Sequence, residues 1–200
     1  IEFLKKFYEV KVIYFKNEIN NIFIDLLSFL TRNNVNSSKI LQRELENFNP
    51  DLVYVHNTWF KASLGLFKIL DKKNKNTLIK LHNFRYECTQ SFLSSKHFKD
   101  KEMCSACGLD KDKTGVFNKY YKESYIKSAA LIFYGKKYFK ILKDSKVNIV
   151  VLTNFHKEYL LNKNVSESKL NVFPNFINSK IDIKDKLDSN YIVYAGRVSE

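Results

Sequence analysis

Short runs of β-branched and aromatic residues alternate with longer segments of helical periodicity along the chain. This alternation predicts βαβ units, and therefore an α/β fold with a Rossmann-like parallel sheet and flanking helices. The strand segments are apolar at successive positions, so we expect helices to cover both faces of the sheet. The predicted strands are Val10–Phe15, Leu52–His56, Thr77–His82, Asn148–Leu152, Lys169–Phe173 and Tyr191–Ala195. The predicted helices are Asn20–Leu30, Ser37–Asn47, Trp59–Lys72, Phe117–Lys143 and Phe155–Asn162.

A charged segment without an apolar face, residues 179–190 (SKIDIKDKLDSN), precedes the last predicted strand. It predicts one domain over residues 1–185, and a linker end with the first strand of a second Rossmann-like domain over residues 186–200. The chain starts at Ile1, and EFLKKFYEVKVIYF has the pattern of a helix end running into a strand. We therefore expect an internal piece of a longer enzyme.

Composition limits the class of protein only broadly. A chain of 200 residues with 44% hydrophobic residues can bury a sizeable core. It has no apolar run near the roughly 20 residues of a membrane span. The net charge of +13 would suit nucleic acid, anionic lipid or phosphorylated substrates. However, the Lys residues are scattered, and a general Lys bias of the source explains them equally well.

Polar residues follow five of the predicted strands. In open parallel sheets, ligands bind at the carboxyl ends of the strands. The series therefore predicts a site along one edge of the sheet. The strand-end pairs are His56-Asn57, His82-Asn83, Thr153-Asn154, Pro174-Asn175 and Gly196-Arg197.

Histidine supplies the first candidate chemistry. An imidazole at a strand end, as at His82, can bind a sugar hydroxyl or help to position a leaving phosphate. The alternative is a structural histidine bonded to the backbone. His56 ends the neighbouring strand in the same way, which favours a site. We expect His97 and His156 to lie on the surface.

Two arginines are further candidates in a chain where Lys is the usual cation. An Arg in such a chain indicates a planar, bidentate donor. Arg85 follows His82 by three residues. Arg197 follows a strand and Gly196, where a diphosphate can approach the backbone closely.

The three cysteines, Cys88, Cys104 and Cys107, form the pattern C-x15-C-x2-C. This spacing is typical of a tetrahedral metal site, but no fourth ligand is evident, His97 and His82 being the nearest candidates. Plain thiols or a redox pair are the alternatives. The cysteine spacing and the positive net charge together suggest a second functional hypothesis, a zinc-linked basic nucleic-acid-binding module.

The segment from Phe117 to Lys143 predicts a long, basic, aromatic helix. Such a helix packs its Tyr, Phe and Ile face on the sheet, or rests on an anionic membrane surface. Packing on the sheet is the commoner arrangement.

Several short motifs occur in order along the whole chain: VHNTW, LHNFRYEC, CSAC, LTNFHKEYL, KLNVFPNFI and YAGRVSE. Together they resemble the GT-B glycosyltransferases of family 4. The resemblance implies two Rossmann-like domains that face each other across a cleft. The N-terminal domain binds the acceptor and the C-terminal domain binds a nucleotide-diphosphate sugar. Transfer in this family is metal-independent and usually retaining.

The resemblance also implies roles for individual residues. His82 would be the active-site histidine, in contact with the transferred sugar or the acceptor. His56 and Asn57 would lie near the acceptor pocket, and Asn175 close to the cleft. Arg197 would bind the donor diphosphate. The other predicted substrate-binding residues are Asn83, Arg85 and Asn154.

The chain departs from the family pattern in three places. The first strand with its glycine-rich loop is missing, and so are the Lys after GR-x-S-x-E and the paired glutamates of the donor domain. Where close relatives carry another Cys, this chain has Tyr120, so a four-thiolate site is lost. We therefore expect no structural zinc, only weak metal candidates in Cys88, Cys104 and Cys107, and no activity from the fragment alone.

These observations predict a hexosyltransferase-type enzyme of cell-envelope or polysaccharide synthesis, located in the cytoplasm. Its partners would be a nucleotide-diphosphate sugar, a glycan or lipid-linked acceptor, and peripherally the inner face of an anionic membrane. No cofactor and no nucleic-acid partner are expected.

Overall fold

A computed structural model describes residues 3–16, 27–28, 30–58, 61–88 and 124–175 of the chain. Within these residues the predicted α/β architecture is confirmed. Four parallel strands form one sheet in the order β1-β2-β3-β4, with helices between and before them. The strands are β1 (Leu52–Val55), β2 (Asn76–Lys80), β3 (Asn148–Val151) and β4 (Leu170–Val172). The helices are α1 (Val35–Phe48), α2 (Gly65–Lys72), α3 (Tyr125–Asp144) and α4 (Asn154–Asn162), with short 3-10 helices at Leu4–Lys6 and Glu167–Lys169.

The predicted strand Val10–Phe15 is wrong, because residues 9–16 have no regular secondary structure. The alternation of buried and exposed side chains in this segment has a cause other than a β-strand. Ile13 and Phe15 pack against the core, and Tyr14 between them is 76% exposed. An apolar alternation becomes a strand only where a neighbouring backbone completes the hydrogen-bond ladder.

Other predicted segments fall outside the described residues. These are the last strand (Tyr191–Ala195), the linker over residues 179–190, most of the helix Asn20–Leu30 and the first residues of the helix Phe117–Lys143.

The core draws on one face of the sheet. The strand residues that contribute to it occupy alternate positions and are in register across the four strands, so they all point the same way. Buried residues of all four helices belong to the same cluster. Right-handed crossovers between strands in the order 1-2-3-4 place the connecting helices α2, α3 and α4 on one side of the sheet. The alternate strand positions are Val53, Val55, Ile79, Ile149, Val151, Leu170 and Val172, with Leu81 just after β2.

The opposite face of the sheet is more open. Leu52 is 55% exposed and Phe173 is 53% exposed there, although Lys80 and Val150 are buried. This face carries the strand-end polar groups.

Helix α3 packs on the core, which is the commoner of the two arrangements considered for this segment from the sequence. Its buried side includes Leu131, Tyr134, Tyr138 and Leu142. Among the described residues, no helix combines the length and apolar character needed to cross a bilayer.

Candidate functional site

The carboxyl ends of the strands bring together side chains that are far apart in the sequence. Continuing the alternation of β1, β2 and β4 past their last residues puts these side chains on the open face of the sheet. Their contacts, given below, confirm that they meet. The residues are His56, Lys80, His82, Phe173 and Asn175.

The two strand-end histidines form a hydrogen-bonded pair. Nδ1 of His56 lies 3.2 Å from Nε2 of His82, and the rings are nearly parallel, at 18° with centroids 5.5 Å apart. Within the described residues neither ring bonds to a backbone group, so the structural alternative for His82 finds no support there. The pair follows from the fold, since the parallel register sets the ends of β1 and β2 side by side.

The pairing determines what the rings present to a ligand. If His56 donates from Nδ1, then His82 carries its proton on Nδ1 and His56 has a bare Nε2. If His82 donates from Nε2, the two outward nitrogens exchange these roles. In either arrangement the neutral pair offers one donor and one acceptor outward, which matches a hydroxyl group.

Both rings favour the neutral form. Burial and then the charge of Lys80 lower the pKa of His82. Burial lowers the pKa of His56, followed by the effects of His82 and Lys80. The donor–acceptor pair is therefore the form expected near neutral pH.

Lys80 lies beside the histidine pair and was not among the residues predicted from the sequence. It is 7% exposed, and its Nζ donates to Oδ1 of Asn175 at 2.9 Å. The same Nζ lies 5.6 Å from the ring centroid of Phe173. A lone Lys inside the apolar strand TLIKLH is unusual and could have indicated a functional residue. Because Lys is abundant throughout the chain, this position did not stand out.

The other predicted binding residues are placed differently. Oδ1 of Asn83 accepts from the backbone N–H of Arg85 at 3.1 Å and shapes the turn after β2. Asn57 and Asn154 are exposed, Asn154 as the first residue of α4. Arg197 lies outside the described residues.

Arg85 is directed toward α3. Burial raises the pKa of Tyr134 to about 12, and the Thr58 hydroxyl and the Arg85 charge oppose that shift. The cation that acts on the histidine pair is Lys80 and not Arg85.

His156 is buried, so its predicted surface position is wrong. It is 4% exposed, its Nε2 lies 2.9 Å from the Tyr86 hydroxyl, and its ring stacks on Phe84 with centroids 4.2 Å apart. The turn after β2 folds over the start of α4 and covers it. Burial lowers the pKa of His156 to about 4.

The cysteine pattern is only partly visible. Cys88 is buried, and Cys104, Cys107 and His97 lie outside the described residues. Among the described residues, no three His, Cys, Asp or Glu side chains form a metal-binding group.

The start of α4 adds positive potential to this edge. Oγ1 of Thr153 accepts from the backbone N–H of His156, and the helix begins three residues after the last residue of β3. The positive end of the helix dipole therefore lies at the same carboxyl edge of the sheet as the histidine pair.

Comparison with known proteins finds no match among family models, curated proteins or solved structures.

Proposed function

We propose that this chain is the acceptor-side region of a GT-B-type glycosyltransferase, which moves a sugar from a nucleotide-diphosphate sugar to a glycan or lipid-linked acceptor. The observation that carries the proposal is the hydrogen-bonded pair of His56 and His82 at the carboxyl edge of a parallel sheet. The choice of the GT-B type is supported by the order of the motifs LHNFRYEC, LTNFHKEYL and YAGRVSE, which resemble those of family 4.

The chemistry of the pair suits this reaction. A sugar hydroxyl both donates and accepts a hydrogen bond, and the neutral pair offers an acceptor and a donor. Transfer breaks the bond between the sugar and the diphosphate, so negative charge grows on the leaving group. The start of α4 makes the edge positive, which stabilises such charge.

The proposal includes peripheral contact with an anionic membrane, where a lipid-linked acceptor would lie. Arg32, Lys68 and Lys137 form a basic patch: burial lowers the pKa of Lys137, and the charges of Lys68 and Arg32 lower it further. Apolar side chains are close in sequence, since Phe133 precedes Lys137 by one helical turn and is 54% exposed, and Leu30 is 59% exposed. Exposed apolar groups beside cations are typical of surfaces that bind lipid head groups.

The test is an assay of the complete gene product that contains this chain, with a panel of radiolabelled nucleotide-diphosphate sugars and a membrane extract as acceptor. The proposal expects labelled glycan or lipid with one donor, and none with free sugars. Absence of product from every donor, with nucleic-acid binding instead, would reject it in favour of the basic binding module.

A further inference from the structure

Lys80 is a buried cation for which the described residues supply no carboxylate. It is 7% exposed, and among the described residues its ammonium group donates to the neutral amide of Asn175. Taking an ammonium group out of water costs several kcal/mol unless an opposite charge or good hydrogen bonds compensate. One amide oxygen and the face of Phe173 compensate only in part.

The described groups around Lys80 are either uncharged or able to donate. Val150 of β3 pairs with Lys80 in the sheet, the end of β1 supplies His56, and the end of β2 supplies His82. The segment after β4 supplies Phe173 and Asn175. None of them is an anion. An oxyanion placed here would gain the ammonium charge and one imidazole N–H.

We infer that Lys80, together with His82, binds a phosphate group carried by the acceptor, so that the acceptor is a phosphorylated sugar or lipid phosphate. The assignment of the phosphate to the acceptor rests on the proposed function. The presence of an anion site at Lys80 does not depend on it. A lysine ammonium is a compact point charge that commonly binds phosphate oxygens in proteins. Asn175 is a positioning residue, because it holds Nζ at the site.

The test is a calorimetric and phosphorus-NMR titration of the chain with glucose 6-phosphate. Glucose, glucuronate and uridine diphosphate are the comparison ligands. The variants are Lys80→Met, the charge-preserving Lys80→Arg and Asn175→Ala. Lys75→Met is the matched control, because Nζ of Lys75 also donates to an Asn amide, Oδ1 of Asn49 at 2.7 Å, and Lys75 lies just before β2, at the opposite edge of the sheet.

The inference expects binding of glucose 6-phosphate that weakens at least tenfold in Lys80→Met, less in Asn175→Ala and Lys80→Arg, and not in Lys75→Met. Glucose should not bind. No binding of the phosphate, or equal binding in Lys80→Met and Lys75→Met, would overturn it. Equal Lys80-dependent binding of glucuronate would overturn the phosphate class, and tighter binding of uridine diphosphate would overturn the assignment to the acceptor.

The two proposals fail separately. If phosphate binding depends on Lys80 but the complete gene product transfers no sugar, the anion site is supported and the transferase proposal is rejected. If the gene product transfers sugar but phosphate binding does not depend on Lys80, the transferase proposal stands and the anion site is rejected.

Discussion

The Tyr86 hydroxyl lies 2.9 Å from Nε2 of His156, and this contact joins the turn after β2 to the start of α4. Both side chains are buried, and Phe84 stacks on the imidazole. The buried histidine favours its neutral form, because burial disfavours the imidazolium and lowers the pKa.

The fold should therefore lose stability in acid as His156 is protonated. Its pKa is about 4 in the folded chain and about 6.5 in the unfolded chain, so the unfolded state binds more protons between these values. Stability from this group is complete above pH 6.5 and is lost as the pH falls toward 4, by about 3 kcal/mol in total. Urea unfolding at several pH values measures the slope.

His156→Gln is the control for that experiment, since an amide can still bond the Tyr86 hydroxyl but does not titrate. The variant should be less sensitive to acid than the wild type. The lowered pKa values of His56 and His82 give a smaller slope of the same sign, which both proteins share. Equal acid sensitivity in the two proteins would remove His156 as the cause.

The close approach of α3 to the same turn should make Gly135 intolerant of a side chain. An added Cβ would lie 3.0 Å from the carbonyl oxygen of Tyr86 and 3.1 Å from that of Arg85. These are backbone atoms, so we expect Gly135→Ala to cost about 1–3 kcal/mol, although Ala is about 1 kcal/mol better than Gly in a helix. Urea unfolding midpoints give the comparison.

Gly65→Ala is the matched variant. There the added Cβ would meet the side chain of Asn33, which can rotate away and give up its 3.0 Å bond from Ser38, and the nearest backbone atom would be the Asn33 Cα at 3.3 Å. The expected cost is smaller than at Gly135. A Gly135→Ala protein as stable as the wild type would show that the turn and α3 are not in close contact.

Much of the fold could be predicted from the sequence, because strands Leu52–Val55 and Asn148–Val151 are short apolar runs between helical patterns. The sequence predicts that each of the two histidines ends a strand, but it does not predict their hydrogen bond. This 3.2 Å contact depends on the register of strands that begin 24 residues apart (52 to 76). His156 looked like a surface residue beside Lys157, since local sequence does not show that a distant turn will cover it.

Removing the charge of Lys80 should raise the pKa of both strand-end histidines. Like charges disfavour protonation, and Lys80 contributes to the lowered pKa of His56 and His82. NMR titration of the imidazole signals in Lys80→Met measures the shift, with Lys75→Met as the control. Unchanged pKa values in Lys80→Met would mean that its ammonium is not beside the pair.

The basic patch should support binding to anionic vesicles. Each cation near such a surface contributes about 1 kcal/mol, so Lys68→Glu with Lys137→Glu should weaken binding to phosphatidylglycerol vesicles at least tenfold. Co-sedimentation at low and high salt measures the affinity, with neutral phosphatidylcholine as the reference.

The exposed pair Lys39→Glu with Lys146→Glu makes the same change in net charge at two lysines that are not among the charges acting on Lys137. An equal loss of vesicle binding in this protein would show that only total charge matters.

His82 is the residue proposed to contact the reacting sugars. The most direct test is the kcat for sugar transfer by the complete gene product with His82→Asn, compared with His156→Gln as a buried-histidine control. We expect a fall in kcat of about 100-fold or more for His82→Asn, in the range of a lost catalytic group, with the control near the wild type. Wild-type turnover in a folded His82→Asn protein would show that His82 has no such contact.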